Sequence, residues 1–171
     1  CAHSRNKING CSRCIDVCPA GAIQSLGDHV NIDPGICGGC GLCGAACPSG
    51  AAQTAYPPAD QLFASMASLL NHYTEAGGKM PSLLLHDKTY GAEMVETIAR
   101  YGRGLPANML PISMHAVGRA GHDLMIAAIA LGYNQVFVLL NPGKGEENTP
   151  LVDQVTLARS MLAGVKADFD N

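Results

Sequence analysis

One segment of the chain is unusually dense in cysteine and glycine: Cys37-Gly-Gly-Cys40-Gly-Leu-Cys43-Gly-Ala-Ala-Cys47-Pro48. Its cysteines follow the spacing C-x₂-C-x₂-C-x₃-C-P without a gap, and glycine or alanine fills nearly every position between them. Short spacings let the backbone curl around one object, and small residues let backbone N–H groups approach thiolate sulfurs. The segment therefore predicts three thiolates around a common centre, with the fourth about one helical turn further along.

A related pattern lies 29 residues earlier in the chain. It reads Cys11-Ser-Arg-Cys14-Ile-Asp-Val-Cys18-Pro19, in register with the last three cysteines and the proline of the later segment. The leading cysteine of this earlier copy should fall at position 8, but the chain has Ile8 there, and the only cysteine before it is Cys1. The resulting loop at residues 2–10 is longer, but it costs little free energy, since doubling a loop costs only ~0.6 kcal/mol in closure entropy. We call Cys1–Pro19 the first motif and Cys37–Pro48 the second motif.

All eight cysteines lie between positions 1 and 47, and residues 48–171 have none. Disulfide frameworks are typical of short secreted chains, and zinc sites commonly pair two C-x₂-C units without a third cysteine and a trailing proline. The third cysteine and the proline favour [4Fe–4S] binding, in which the fourth cysteine ligates the other cluster. The sequence thus predicts two [4Fe–4S] clusters in a reducing compartment.

The motifs are expected to share their ligands crosswise. One alternative stays open: if Cys1 is not a ligand, cluster I would be a three-iron species. A domain formed by residues 1–56, with few large apolar side chains, would have only marginal stability without a bound metal. The clusters are therefore also expected to hold its fold together. The predicted ligands are Cys1, Cys11, Cys14 and Cys47 for cluster I, and Cys18, Cys37, Cys40 and Cys43 for cluster II.

Residues 1–56 resemble the bacterial two-[4Fe–4S] ferredoxin domain. The second motif matches that domain in full, and the first motif departs from it by its long leading loop. The resemblance implies an α+β ferredoxin-like fold of short strands and two helices with pseudo-twofold symmetry, and clusters that act as low-potential, one-electron carriers. Between the motifs, two short strands are predicted at 23–25 and 29–32, with a turn at Leu26-Gly27-Asp28.

The composition changes near Pro57-Pro58, where glycine-rich turns give way to long apolar stretches. We expect a ferredoxin domain at 1–56, a linker and helix at 57–79, and a small, partial doubly wound α/β domain with a parallel sheet at 80–171. The last predicted strand is a continuous apolar run, which indicates burial on both faces. The predicted elements are helices at 59–76, 92–101, 121–131 and 150–163 (with Thr149 as N-cap), and strands at 82–86, 108–114 and 135–140.

This α/β part weakly resembles the small domain of the hydrogenase delta-subunit (methyl-viologen-reducing type) family, through the order of its elements and the run 130–139. That family's domain carries its own cysteine-bound cluster, whereas this part has no cysteine. Docking to a redox partner is therefore its expected role. A crevice is expected beyond the carboxyl ends of the strands, where His86 and His115 are either acid–base groups or hydrogen-bonded residues, and the loop 141–145 is either a phosphate contact or a plain turn.

The leading functional hypothesis is an iron–sulfur module that relays single electrons within a larger cytoplasmic oxidoreductase system. Its expected partner is a redox protein or another domain of a longer parent chain, since the sequence begins at Cys1. Two alternatives are a cluster-fed catalytic subunit that binds a nucleotide or flavin, and a redox or oxygen sensor. The net charge of −3 argues against nucleic acid, and no apolar run approaches the ~20 residues of a membrane span.

Overall fold

The computed structural model describes residues 1–5 and 8–169. In the cysteine-rich part, β1 (Ser4–Arg5) pairs antiparallel with β2 (Ile8–Asn9), and β3 (Ile23–Ser25) pairs antiparallel with β4 (Val30–Ile32). Two short helices, α1 (Arg13–Asp16) and α2 (Leu42–Ala46), lie inside the two motifs and pack against each other. The hairpin β3–β4 confirms the prediction, whereas the hairpin β1–β2 lies in the long leading loop of the first motif, where no strands were predicted.

The α/β part is built on a three-stranded parallel sheet. Its strands are β5 (Ser82–Asp87), β6 (Met109–Met114) and β7 (Gln135–Val138), in the order β6-β5-β7. Every residue of β5 is buried because this strand lies at the centre of the sheet. The prediction that the last strand is buried on both faces is wrong: β7 is an edge strand, and Phe137 is 42 % exposed. An apolar run alone does not encode the position of its strand within a sheet.

The four longer helices are close to their predicted positions: α3 (Ala59–Glu75), α4 (Tyr90–Tyr101), α5 (His122–Leu131) and α6 (Thr149–Phe169). Helix α5 ends at Gly132, whose φ of +117° suits glycine at this position. Thr149 was predicted as an N-cap, but its φ of −53° and ψ of −47° are helical. The cause is the preceding segment Pro142–Asn148, whose 3₁₀ turns run directly into α6.

The main hydrophobic core lies entirely between residues 62 and 158. Leu62, Met66 and Leu70 form a stripe at four-residue spacing on α3, and this stripe packs with Leu83 and Leu85 of β5. Met66 lies at the centre of this stripe, with an exposure of 1 %. The core of the cysteine-rich part is different in kind, because its buried apolar residues are mostly alanine, with one isoleucine, one leucine and Cys14.

The two parts of the chain share an interface. Helix α2 of the second motif packs against α6 and against a 3₁₀ turn at Val117–Arg119, which follows β6. The carboxyl end of the sheet therefore lies beside the second motif.

Candidate metal centre

The hairpin β1–β2 brings the start of the chain next to Cys11. The N–H of Cys11 donates to the carbonyl of Ala2 at 3.0 Å, and the N–H of Gly10 donates to the carbonyl of His3 at 2.6 Å. A Cβ atom on Gly10 would stand 2.6 Å from the Ala2 oxygen, so this close approach requires glycine. The backbone preceding Cys11 thus lies beside the backbone following Cys1, although the two cysteines are separated by nine residues.

The His3 side chain holds this loop against the rest of the cysteine-rich part through two hydrogen bonds. Its side chain is buried, with Nδ1 at 2.7 Å from the Cys11 carbonyl and Nε2 at 2.7 Å from the Ser25 hydroxyl. Because a carbonyl can only accept, Nδ1 donates to the Cys11 carbonyl, and the Ser25 hydroxyl is the hydrogen-bond partner of Nε2. Sequence reasoning missed His3, and the only available signal was its place between the leading cysteine and the rest of the first motif.

Cys14 lies near cysteines of both motifs. Burial raises the pKa of the Cys14 thiol, and the nearby thiolates of Cys47 and Cys11 raise it further, while backbone N–H groups act in the opposite direction. Like charges raise a thiol pKa only at short range. The fold therefore brings Cys47, from the second motif, towards Cys11 and Cys14 of the first.

Cys43 is surrounded in the same way. Burial raises the pKa of the Cys43 thiol, and the thiolates of Cys40, Cys37 and Cys14 add to the increase. Cys43 therefore lies near Cys37 and Cys40 of its own motif. Cys14, from the first motif, also approaches Cys43.

Cys47 has the environment of a stabilised thiolate. Burial would raise the pKa of its thiol, but hydrogen bonds from Ala52, Ser49 and Ala51 outweigh burial and lower the pKa to about 7. The N–H of Ala52 lies 3.4 Å from the Cys47 Sγ, and the Ser49 hydroxyl lies 3.6 Å from it. The thiolate is the form that binds metal, so the turn after the second motif prepares Cys47 as a ligand.

Of the other predicted ligands, Cys1 and Cys37 are exposed, and Cys18 and Cys40 are partly buried, like Cys43 and Cys47. All eight cysteines are among the described residues, and each is a free thiol. Within that described part, no three His, Cys, Asp or Glu side chains gather closely enough to hold a single metal ion. In a cubane, by contrast, each thiolate binds a different iron, so its ligands need not converge on one point.

The glycines of the second motif have the conformations that such a loop requires. Gly39 and Gly41 have φ angles of +68° and +80°, in the left-handed region that other residues adopt only with strain. Gly41 also starts α2, so the turn that curls the chain between Cys40 and Cys43 continues directly into the helix.

Residues 118–121 of the α/β part make close contact with the second motif. A Cβ atom on Gly118 would stand 2.5 Å from the Cys40 oxygen, and one on Gly121 would stand 3.0 Å from Ala45. Between them, the buried Arg119 guanidinium donates to both carboxylate oxygens of Asp123, at 3.1 Å and 2.8 Å. Glycine at positions 118 and 121 lets this segment approach the backbone of the second motif. This contact was not predicted from the sequence.

The predicted residues at the strand ends have separate roles. His86 is buried, and its Nδ1 donates to the Asp87 carbonyl at 2.9 Å. Burial tends to raise the pKa of Asp87, but hydrogen bonds from Gly91 and Thr89, with the charge of Lys144, hold that pKa below its usual value. Asp87 accepts the Thr89 and Gly91 N–H groups at the start of α4, so that helix terminus is already satisfied.

His115 lies instead beside the second motif. A Cβ atom on Gly39 would stand 3.6 Å from the His115 Nε2. The loop 141–145 forms exposed 3₁₀ turns, as the plain-turn alternative predicted.

Comparison with known protein families gives one match: a family model for a 4Fe-4S dicluster domain fits residues 9–51 of the 171. Comparison with curated proteins and with solved structures gives no match. The match spans both motifs from Asn9 onward and defines a ferredoxin-type 4Fe-4S dicluster segment. This segment supports an iron–sulfur electron-transfer role for the chain.

None of the helices in residues 1–5 and 8–169 combines the length and apolar character that crossing a membrane demands.

Proposed function

We propose that the chain binds two [4Fe–4S] clusters and relays single electrons between a redox partner and a larger oxidoreductase system. Cluster I would be held by Cys1, Cys11, Cys14 and Cys47, and cluster II by Cys18, Cys37, Cys40 and Cys43. The clusters, when bound, supply reversible one-electron reduction. The protein's part is to hold the thiolates, donate hydrogen bonds to sulfur and bring the two groups together.

The observation that carries this proposal is the proximity of Cys47 to Cys11 and Cys14. Crosswise sharing requires the fourth cysteine of the second motif to lie beside the cysteines of the first, and this proximity supports it. The approach of Cys14 to Cys43 is a second support, because it would place the two clusters side by side for electron exchange.

The α/β part would serve as the docking or anchoring platform of the module. Its three-stranded parallel sheet agrees with the small doubly wound arrangement that suggested the hydrogenase delta-subunit family. We propose a boundary between the two parts near residue 57, in support of which the main core begins at Leu62. A cytoplasmic location would suit eight free thiols.

The proposal is tested on chain purified without oxygen. Iron and sulfide should each approach about eight per chain, and the reduced protein should show two interacting S = ½ EPR signals. Cys18→Ser should disturb the signal of cluster II rather than that of its own motif, whereas Ser12→Ala in the same motif should leave both signals intact. A colourless chain, or one that contains only zinc, would contradict the proposal.

A further inference from the structure

A cavity of about 360 Å³ lies where the carboxyl ends of β5 and β6 meet α3 and the chain segment that leaves the cysteine-rich part. This volume falls within the ~300–1,000 Å³ typical of small-molecule sites. The residues that determine its chemistry are Tyr56, Leu62, Lys88, Ile112, Met114 and His115. The cavity is therefore lined by both parts of the chain.

The charged groups of this cavity favour an anion. Lys88 and His115 line it from the ends of β5 and β6, and Ser65 and Ser113 add hydroxyl groups. Among the described residues that line it, none is aspartate or glutamate. Gln61 and Leu62, near the start of α3, also line the cavity. An anionic group would pair with the side chains of Lys88 and His115.

The remaining surface favours a flat apolar body. Leu62, Ile112 and Met114 supply aliphatic and thioether groups at the base of the cavity, and Tyr56 stands at its edge with 79 % of its surface exposed. An exposed aromatic ring beside an apolar cavity can stack on a planar ligand.

The cavity reaches the second motif through His115. The His115 ring lies against Gly39, which is flanked by the predicted cluster II ligands Cys37 and Cys40. A smaller recess lined by Gly39, Thr54 and Arg119 shares Tyr56 and His115 with the cavity. A molecule bound in the cavity would therefore lie beside the Gly39 segment of the second motif, next to the predicted position of cluster II.

We infer that this cavity is a binding site for an aromatic anion, a planar ring system that carries a phosphate or carboxylate group. The binding part of this inference rests only on the chemistry of the cavity. The further role of such a ligand, to exchange electrons with cluster II, rests on the proposed function.

The test uses the cluster-loaded full chain and flavin mononucleotide as the probe, with binding followed by quenching of flavin fluorescence. Riboflavin, the same ring system without the phosphate, should bind about tenfold more weakly or worse, because a charge-assisted hydrogen bond contributes about 1.5–3 kcal/mol. Inorganic phosphate alone should compete only at much higher concentration, because it lacks the ring.

Two pairs of variants locate the site. Lys88→Ala should weaken flavin mononucleotide binding about tenfold, whereas Lys79→Ala, at the opposite end of β5, should leave it unchanged. Ser65→Trp should fill the cavity and abolish binding, and Ser68→Trp, also exposed on α3, should not. Binding that persists in Ser65→Trp, or equal affinity for riboflavin, would overturn the inference.

Iron is counted in each sample so that two failures can be separated. A chain with full iron content that binds no flavin mononucleotide overturns the inference and leaves the electron-transfer proposal standing. A chain that binds the probe through Lys88 but never acquires iron supports the site and overturns the electron-transfer proposal.

Discussion

Cys1 is the residue on which the chemistry of cluster I depends most. The longest spacing in either motif separates it from Cys11, and it lies on the surface. Two local features compensate for this: the N–H of Cys11 bonds to Ala2, and His3 bonds to the carbonyl of Cys11. The long loop is thus held as a hairpin, and the entropy that a free loop would retain is removed by two defined hydrogen bonds.

Replacement of this thiol should convert cluster I into a three-iron species. For Cys1→Ser we expect the iron content to fall from about eight to about seven per chain, since one corner of the cubane loses its ligand. The oxidised variant should then give an EPR signal that the oxidised wild-type chain lacks. Ala2→Ser, the neighbouring change that removes no thiol, is the control. A three-iron signal already present in the oxidised wild-type chain would show that Cys1 is not a ligand.

At the scale of elements, the 3₁₀ turn Val117–Arg119 is the contact through which the sheet meets the cluster-binding loop. Gly118 faces the Cys40 carbonyl and the Leu42 side chain, and Arg119 lies against Gly41. Arg119 is buried with its charge paired to Asp123, which avoids the penalty of an isolated buried cation. The contact is narrow and made largely of backbone, so it has little capacity to absorb an added atom.

Gly118→Ala should therefore separate the two parts. The new Cβ atom would lie 2.5 Å from a backbone oxygen and 3.1 Å from Leu42, and such overpacking costs about 1–3 kcal/mol. We expect a lower midpoint in chemical denaturation and faster loss of cluster absorbance in air.

The matched control for this variant is Gly164→Ala, a glycine of α6 with no atom within 4 Å of its added Cβ. It should stabilise the chain by about 0.5–1 kcal/mol, through the helix propensity of alanine. Equal effects of the two substitutions on cluster loss would show that the turn does not support the second motif.

At the scale of the whole molecule, the chain has two cores of different origin. The α/β part has a conventional hydrophobic core between residues 62 and 158. The buried apolar residues of the cysteine-rich part are few and mostly small, among them Ala22, Ala45 and Ala52. We therefore expect bound clusters to supply its cohesion, as metals do in other small metal-dependent domains.

Removal of iron should consequently unfold one part and spare the other. After anaerobic chelation, we expect limited proteolysis to degrade residues up to about 57 and to leave a protected fragment that starts near the beginning of α3, because its core contains no cysteine. Mass spectrometry of the fragments checks this outcome, with the untreated cluster-loaded chain as control. Degradation of both parts at the same rate would show that the clusters support the whole fold.

Much of the secondary structure followed from local pattern. The hairpin β3–β4 was predicted from two short strands around the turn Leu26-Gly27-Asp28, and α3 was predicted at 59–76. The errors concern the environment of an element. The burial of β7 depends on which strands flank it, and the state of Thr149 depends on the 3₁₀ turns before it.

The sequence by itself determined the iron–sulfur chemistry, because the spacing of cysteines within each motif controls which thiolates one stretch of backbone can turn towards a common centre. Only the tertiary structure brought His3 to Cys11 and Ser25, and His115 to Gly39. Each of these contacts joins residues between 8 and 76 positions apart. Contacts at such separations are decided by how helices and strands pack, and no local periodicity records them.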